Sequence, residues 1–344
     1  MAKRNFSMQA YWDSIADSWQ PRLSFAKKPD QDWQLWHQES LEKLYDLMGD
    51  WPEPVDLNPE IAYSVTDGDL IRERIILDTE AGMSIPCLLM KPLNMPEDRK
   101  QAAILCSHGH GRFGKDPVAG IRSSPAHVAD IELMNYNYAE QMARAGFLTL
   151  APDLRVFGER RDGENPFPGR DPCNVNYVKG SILGLYPLTL NVWDMMRCVD
   201  YLQTRPEVDP QRIGMMGLSQ GGTMTTFTTA LEPRIKAADI IGYVNSWSGF
   251  GIHRANFCGS QVVPQIYRYL DTQDIAGLIA PRPLLIEMGI YDDCFYIQDQ
   301  VTGFGDVQKI YQAAGADTDL WQDIHPGPHA FAGNKAFDFF KRYL

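Results

Sequence analysis

This sequence predicts the α/β class, a mostly parallel sheet covered by helices on both faces, and two observations carry the prediction. From about Arg72 onward, short apolar or β-prone runs alternate with stretches whose apolar residues recur at three- and four-residue spacing. One of those junctions sets a serine between glycines, in Gly217-Leu218-Ser219-Gln220-Gly221-Gly222, where an apolar run meets a helical pattern. Taken in order, Arg72–Asp78 and Ser84–Met90 are joined by a Glu-Ala-Gly turn and read as an antiparallel hairpin. Ala102–Ser107, Phe147–Pro152, Ile213–Met216, Ala237–Val244, Leu284–Met288 and Asp319–Ile324 then read as strands. Between and after them, Ile131–Ala145, Leu188–Gln203, Gln220–Leu231, Ile297–Ala314 and Ala332–Tyr343 read as helices. Such repetition puts the ligand site on the loops at the carboxyl ends of the strands.

The first seventy residues differ. They hold five of the eight tryptophans (Trp12, Trp19, Trp33, Trp36, Trp51), with an amphipathic helix over Gln31–Met48 and a linker marked by Pro52, Pro54 and Pro59. The division is therefore a helical arm, 1–70, and a catalytic domain, 71–344, whose segment 157–186 is an insertion that serves as a lid or a surface excursion. Seventy residues are marginal for a separate core, so the arm is expected to pack on the domain or to join two copies of the chain.

Composition narrows the partners. With 344 residues, 44% of them hydrophobic, the chain buries a large core without staples. A net charge of -12 and a pI near 5.0 argue against nucleic acid and anionic membranes as partners. No apolar run is long enough to span a bilayer, and the start lacks the apolar stretch of a secretory signal, so a cytoplasmic location is expected. The six cysteines are scattered without C-x-x-C spacing.

Chemistry is centred on Ser219. A strand-to-helix turn of this kind tolerates little beyond glycine two positions before and after the serine, and it aims the following amides and the helix N-terminus at the serine oxygen. A carboxylate pair, Asp292-Asp293, follows the strand Leu284–Met288, and His329 lies in His325-Pro326-Gly327-Pro328-His329 after the next strand. The strand Ala102–Ser107 runs into His108-Gly109-His110-Gly111, a backbone flexible enough to approach a substrate carbonyl. His108 and His110 could alternatively ligate a metal, but no third ligand stands at suitable spacing, and Pro326-Gly327-Pro328 prevents helical pairing of His325 with His329. No metal and no cofactor are expected.

At these residues the chain resembles the α/β-hydrolases related to dienelactone hydrolase and the acetyl xylan esterases, over about Arg72 to Leu344. The resemblance rests on the serine motif, on His108-Gly109-His110-Gly111, and on the run Asp153 to Arg160. It extends to Trp193-Asp194-Met195-Met196-Arg197-Cys198-Val199-Asp200 and Gly327-Pro328-His329-Ala330-Phe331. Where cephalosporin-C and acetyl xylan deacetylases carry Arg-Gly-Gln, this chain has Arg155-Val156-Phe157-Gly158. The Trp-rich arm is similar to the leader of the acetyl-xylan-esterase-like subgroup.

The resemblance implies a Ser219, Asp292, His329 triad, in the chain order of that fold, and an oxyanion hole formed by the backbone N–H groups of His110 and Gln220. Asp292 is preferred to Asp293 because it matches the family's Gly-x-x-Asp turn after Gly289. His108, Phe157, Trp247, Phe250, Phe295 and Phe331 are the expected pocket residues. The activity implied is hydrolysis of carboxylic esters, short-acyl ones of small molecules or saccharides, through an acyl-enzyme. Two other readings stand beside it, a peptidase of the prolyl oligopeptidase type and a non-catalytic binding protein on the same scaffold.

Overall fold

The computed structural model describes residues 4–28, 30–96, 99–162 and 169–344. Among them nine strands form one sheet: β1 (Glu60–Asp67), β2 (Leu70–Glu80), β3 (Met83–Pro92), β4 (Gln101–Ser107), β5 (Leu148–Pro152), β6 (Val208–Leu218), β7 (Ile235–Ile241), β8 (Leu284–Gly289) and β9 (Leu320–His325). They lie in the order β1-β2-β3-β5-β4-β6-β7-β8-β9. The pairs β1·β2, β2·β3 and β3·β5 are antiparallel, and every pair from β5 to β9 is parallel.

The parallel strands read as unbroken apolar runs because both faces of the sheet are covered. Successive residues enter opposite cores. Leu105, Met215, Ile240 and Ile286 belong to one, with Val192 and Met195 of helix Pro187–Thr204 and Phe227 of helix Gln220–Leu231. Ile104, Met216, Ile241 and Leu285 belong to the other, with Met142 of helix Tyr138–Arg144 and Phe340 of helix Ala336–Tyr343.

Two elements depart from the sequence reading. The sheet begins at Glu60, inside the 1–70 arm, because β1 pairs along β2 with every residue exposed and so carries no burial signal. The helix expected over 131–145 is two, Pro125–Met134 and Tyr138–Arg144, broken at Asn135, whose φ is +46°. The break buries Tyr136 and Tyr138, whose apolar spacing had made the two segments look continuous. Of the 157–186 insertion, residues 163–168 lie outside the described residues. Its described part contains the helix Pro172–Leu183, capped by the Asp171 carboxylate at one end and by Gly184, φ +76°, at the other.

The arm lies on the domain of its own chain. Phe25, Trp36, Leu44 and Met48 belong to the larger core. Trp19 Nε1 donates to the Tyr267 carbonyl at 3.0 Å, and Phe25 N donates to Asp274 Oδ1 at 3.0 Å. Tyr11 and Trp12 remain half exposed. No helix among the described residues is long and apolar enough to cross a membrane.

The loop after β5 is held by ion pairs. Arg155 binds Asp194 through Nε and Nη2, both at 2.9 Å, and Arg160 Nη1 reaches the same carboxylate at 2.7 Å. Burial alone would raise Asp194, but Arg160 and Arg155 hold it below the ordinary carboxylate range. The Asp153–Arg160 and Trp193-Asp194 motifs are thus accounted for as one anchor of the loop beside the site.

Candidate active site

Ser219 sits between β6 and the helix Gln220–Leu231 with φ +63° and ψ -117°, a conformation that costs about 1–3 kcal/mol and persists only where the surroundings impose it. The glycines are what allow the fit. A Cβ on Gly217 would lie 2.5 Å from the Gly221 carbonyl, and one on Gly221 would lie 2.1 Å from the Ser107 carbonyl oxygen of β4. Ser219 N donates to the Ile241 carbonyl at the end of β7, which fixes the turn on the sheet edge.

The loops after β8 and β9 are tied together, with Ile290 N donating to His325 O at 2.9 Å and Tyr291 N to Gly327 O at 3.0 Å. This brings His329 Nδ1 to 2.7 Å from Asp292 Oδ2. The other oxygen, Oδ1, accepts from the N–H groups of Cys294 at 2.8 Å and Phe295 at 2.7 Å. Asp292 is buried, whereas Asp293 beside it is exposed. Behind the histidine loop, the buried Glu287 of β8 accepts the Ala332 N–H at 2.9 Å.

Gly242, which follows the carbonyl that holds Ser219, is the floor beneath this pair. A Cβ there would lie 3.1 Å from His329 Nδ1 and 3.3 Å from Asp292 Oδ2. Ser219 and His329 both line a cleft of about 410 Å³. His329 Nε2 is buried with no hydrogen-bond partner among the described residues, a condition that costs about 1–3 kcal/mol and is relieved by any donor entering the cleft.

The loop after β4 is positioned by His108. Its Nε2 accepts the Leu154 N–H at 2.9 Å, so the proton resides on Nδ1, which donates to the Gly109 carbonyl at 2.7 Å. Burial pushes this imidazole down to about 4, against the opposing charge of Asp153, so it is neutral across the ordinary pH range. Gly109 N donates to the Tyr136 hydroxyl at 2.5 Å, and a Cβ on Gly109 would lie 3.1 Å from that of Ser219. Among the described residues, the N–H groups of His110 and Gln220 have no acceptor.

Several sequence-based pocket assignments change. His108 is fully buried and props the loop instead of lining the cleft. Phe157, Trp247 and Phe331 are likewise packed into the protein away from the cleft wall; Phe331 lies against Tyr138, and Trp247 against Phe257. Phe250 and Phe295 do line it, stacked face to face with centroids 4.0 Å apart. The rest of the wall includes Met134, Tyr136, Asp171, Asn256, Cys258, Gln261 and Cys294. None of these lies in a motif; Met134 and Tyr136 flank the helix break, which spacing alone concealed.

Beside His110 the fold gathers two sequence-distant cysteines: a ring nitrogen of His110 and the sulfurs of Cys173 and Cys258 all lie within 4.8 Å of one another. Spacing along the chain could not reveal this grouping, because the three residues come from two loops and the start of the helix Pro172–Leu183.

Comparison with known proteins agrees with this architecture. Residues 189–248 match the acetyl xylan esterase family. YtaP of Bacillus subtilis (strain 168), a proposed hydrolase, is 27% identical over 257 residues, which is 74% of this chain and 81% of that protein. Among solved structures, a proposed acetyl xylan esterase from Bacteroides fragilis superposes with a TM-score of 0.74 at 18% identity, covering 94% of this chain and 83% of that one. A glucuronoyl esterase from Solibacter usitatus gives 0.67 at 14% identity, covering 94% and 97%. The fold is the α/β-hydrolase fold. Family match, fold and relatives together support a carboxylic ester hydrolase.

Proposed function

We propose that this protein is a serine esterase that cleaves short-acyl esters, including those of saccharides, by a Ser219, His329, Asp292 triad and an acyl-enzyme. The observation that carries the reading is the 2.7 Å Asp292–His329 pair sharing one cleft with a serine on a strained, glycine-flanked turn. His329 Nε2 takes the Ser219 proton as Oγ attacks the ester carbonyl, and the N–H groups of Gln220 and His110 hold the oxyanion. Collapse expels the alcohol, which receives that proton from His329. Water then attacks the acyl-enzyme by the same route and releases the acid.

Asp292 serves by orientation. With both backbone donors on Oδ1, its Oδ2 is free to accept from Nδ1, which leaves Nε2 unprotonated as a base must be. The stacked Phe250 and Phe295 form an apolar wall, while Asp171, Asn256 and Gln261 offer polar contacts that suit a hydroxyl-rich alcohol. A methylene that cannot be accommodated forfeits about 0.8 kcal/mol.

The test is a hydrolysis profile across acyl length, from acetyl to octanoyl esters of one chromogenic alcohol, with sugar acetates alongside. Efficiency should fall steadily with length, and sugar acetates should be turned over. A maximum at octanoyl, or activity on aminoacyl anilides without ester turnover, would overturn the proposal.

A further inference from the structure

We infer that His110, Cys173 and Cys258 form a binding site for a thiophilic divalent cation of the zinc type, beside the cleft. The three residues come from the loop after β4, the first turn of helix Pro172–Leu183, and the segment that follows Asn256. Their ligand atoms lie within 4.8 Å of one another, with His110 Nε2 at 3.0 Å from Cys258 Sγ. Zinc–sulfur bonds of about 2.3 Å and zinc–nitrogen bonds of about 2.0 Å in a tetrahedron place such atoms roughly 3.5–3.8 Å apart. Changes in these separations of up to about 1 Å, within reach of side-chain rotation, therefore suffice.

The donor set selects the ion. Two thiolates and an imidazole suit zinc and disfavour magnesium or calcium, which take oxygen ligands. Three protein ligands leave a fourth position for water or an added group. Entry is open from one side, because His110 is exposed and Cys258 is half-buried, and both line the cleft; Cys173 closes the site from below as its buried member.

The surroundings support a thiolate at Cys258. Gln220 Nε2 donates to Ser260 Oγ at 2.8 Å, so the serine hydroxyl hydrogen is free for Cys258 Sγ, 2.9 Å away. The segment is also braced against the helix that supplies Cys173, through Gly259 N donating to Asn174 Oδ1 at 2.8 Å. On binding, the cation replaces the remaining thiol protons, which pass to solvent. Gln220 follows Ser219, so the support of this site and the serine turn share a residue.

The test reads the metal directly and does not depend on the esterase assignment. The full-length protein, reduced and stripped with a chelator, is titrated with Zn2+ in competition with a chromophoric chelator, and separately with Co2+. One equivalent should bind, and cobalt should give thiolate-to-metal charge transfer with the intense visible bands of tetrahedral coordination. Cys173→Ser and Cys258→Ser should each abolish the charge-transfer band or weaken binding by at least ~100-fold, while Ser260→Ala should weaken it by about 10–100-fold, as loss of an outer partner does.

Alkylation of the unmutated protein supplies a readout that needs no variant. Zn2+ should protect Cys258 from a thiol reagent and leave Cys294, on the same cleft, as reactive as before. Zinc uptake undiminished in both cysteine variants, a cobalt spectrum without thiolate character, or equal alkylation of Cys258 with and without Zn2+ would overturn the inference.

Discussion

Replacing Asp292 by Asn changes one atom and should remove most of the catalysis. The carboxylate has divided duties, with Oδ1 accepting two backbone N–H groups and Oδ2 accepting from His329 Nδ1. An asparagine can keep the two backbone donors only by placing its carbonyl oxygen at the Oδ1 position. Its amide nitrogen then faces Nδ1, and as a donor it forces Nδ1 to accept. The imidazole proton is driven to Nε2, the atom that takes the proton from Ser219 in the proposed mechanism. A wrong tautomer of this kind costs a serine hydrolase about 10⁴ in turnover, which corresponds to roughly 5 kcal/mol of transition-state stabilisation. The assay is kcat on a chromogenic acetyl ester for Asp292→Asn and Asp293→Asn side by side, with melting curves to establish that both fold. Asp293 is exposed, so its variant should stay within a few-fold of the parent. Equal losses, or the larger loss at Asp293, would refute the reasoning.

Three further outcomes are expected. Gly221→Ala puts a Cβ 2.1 Å from the Ser107 carbonyl, a backbone atom that cannot step aside, so denaturant unfolding should register a loss of about 1–3 kcal/mol and turnover should fall with the displaced serine; unchanged stability would mean that β4 and the helix part easily. Burial raises Glu287 above its ordinary value, opposed by the Ala332 N–H and reinforced by Asp323. Its contribution is therefore complete below the unfolded pKa and is lost progressively as pH rises to the raised one, about 8, so Glu287→Gln should flatten the decline in stability across that window, and parallel pH profiles would contradict this. Deleting residues 1–53 uncovers the core surface now covered by Phe25, Trp36, Leu44 and Met48, which should appear in light scattering as aggregation or altered mass; a truncated protein of unchanged mass and melting temperature would show the arm to be dispensable.

How much of this was legible in the sequence depended on whether the signal was local. The turn at Ser219 was readable because its glycines flank the serine at fixed spacing and Gly217 answers a steric demand from Gly221 four residues on, and the strands from β4 onward because burial on both faces leaves them continuously apolar. β1 was missed because an exposed edge strand has no such pattern, and the helix break at Asn135 because apolar spacing persists across it. Pocket residues were the hardest to assign. Bulky aromatics near the motifs were expected to face the cleft, yet Phe157, Trp247 and Phe331 pack into the protein, while Asn256, Gln261 and Cys258 come from a segment with no motif. His108 looked like a pocket residue and proved to be a prop, a distinction made by its bonds to Leu154 and Gly109, which are set by tertiary contact. The grouping of His110 with Cys173 and Cys258 is of the same kind.

The identity of the nucleophile is the claim on which the functional account rests, and covalent trapping tests it most directly. The protein is treated with a fluorophosphonate, which phosphonylates an activated serine, and the adduct is located by peptide mass spectrometry while residual esterase activity is followed. The account predicts one adduct per chain, on the peptide containing Ser219, formed in step with complete loss of activity and absent from Ser219→Ala and His329→Ala. An adduct on a different residue, or full activity surviving stoichiometric labelling of Ser219, would contradict it.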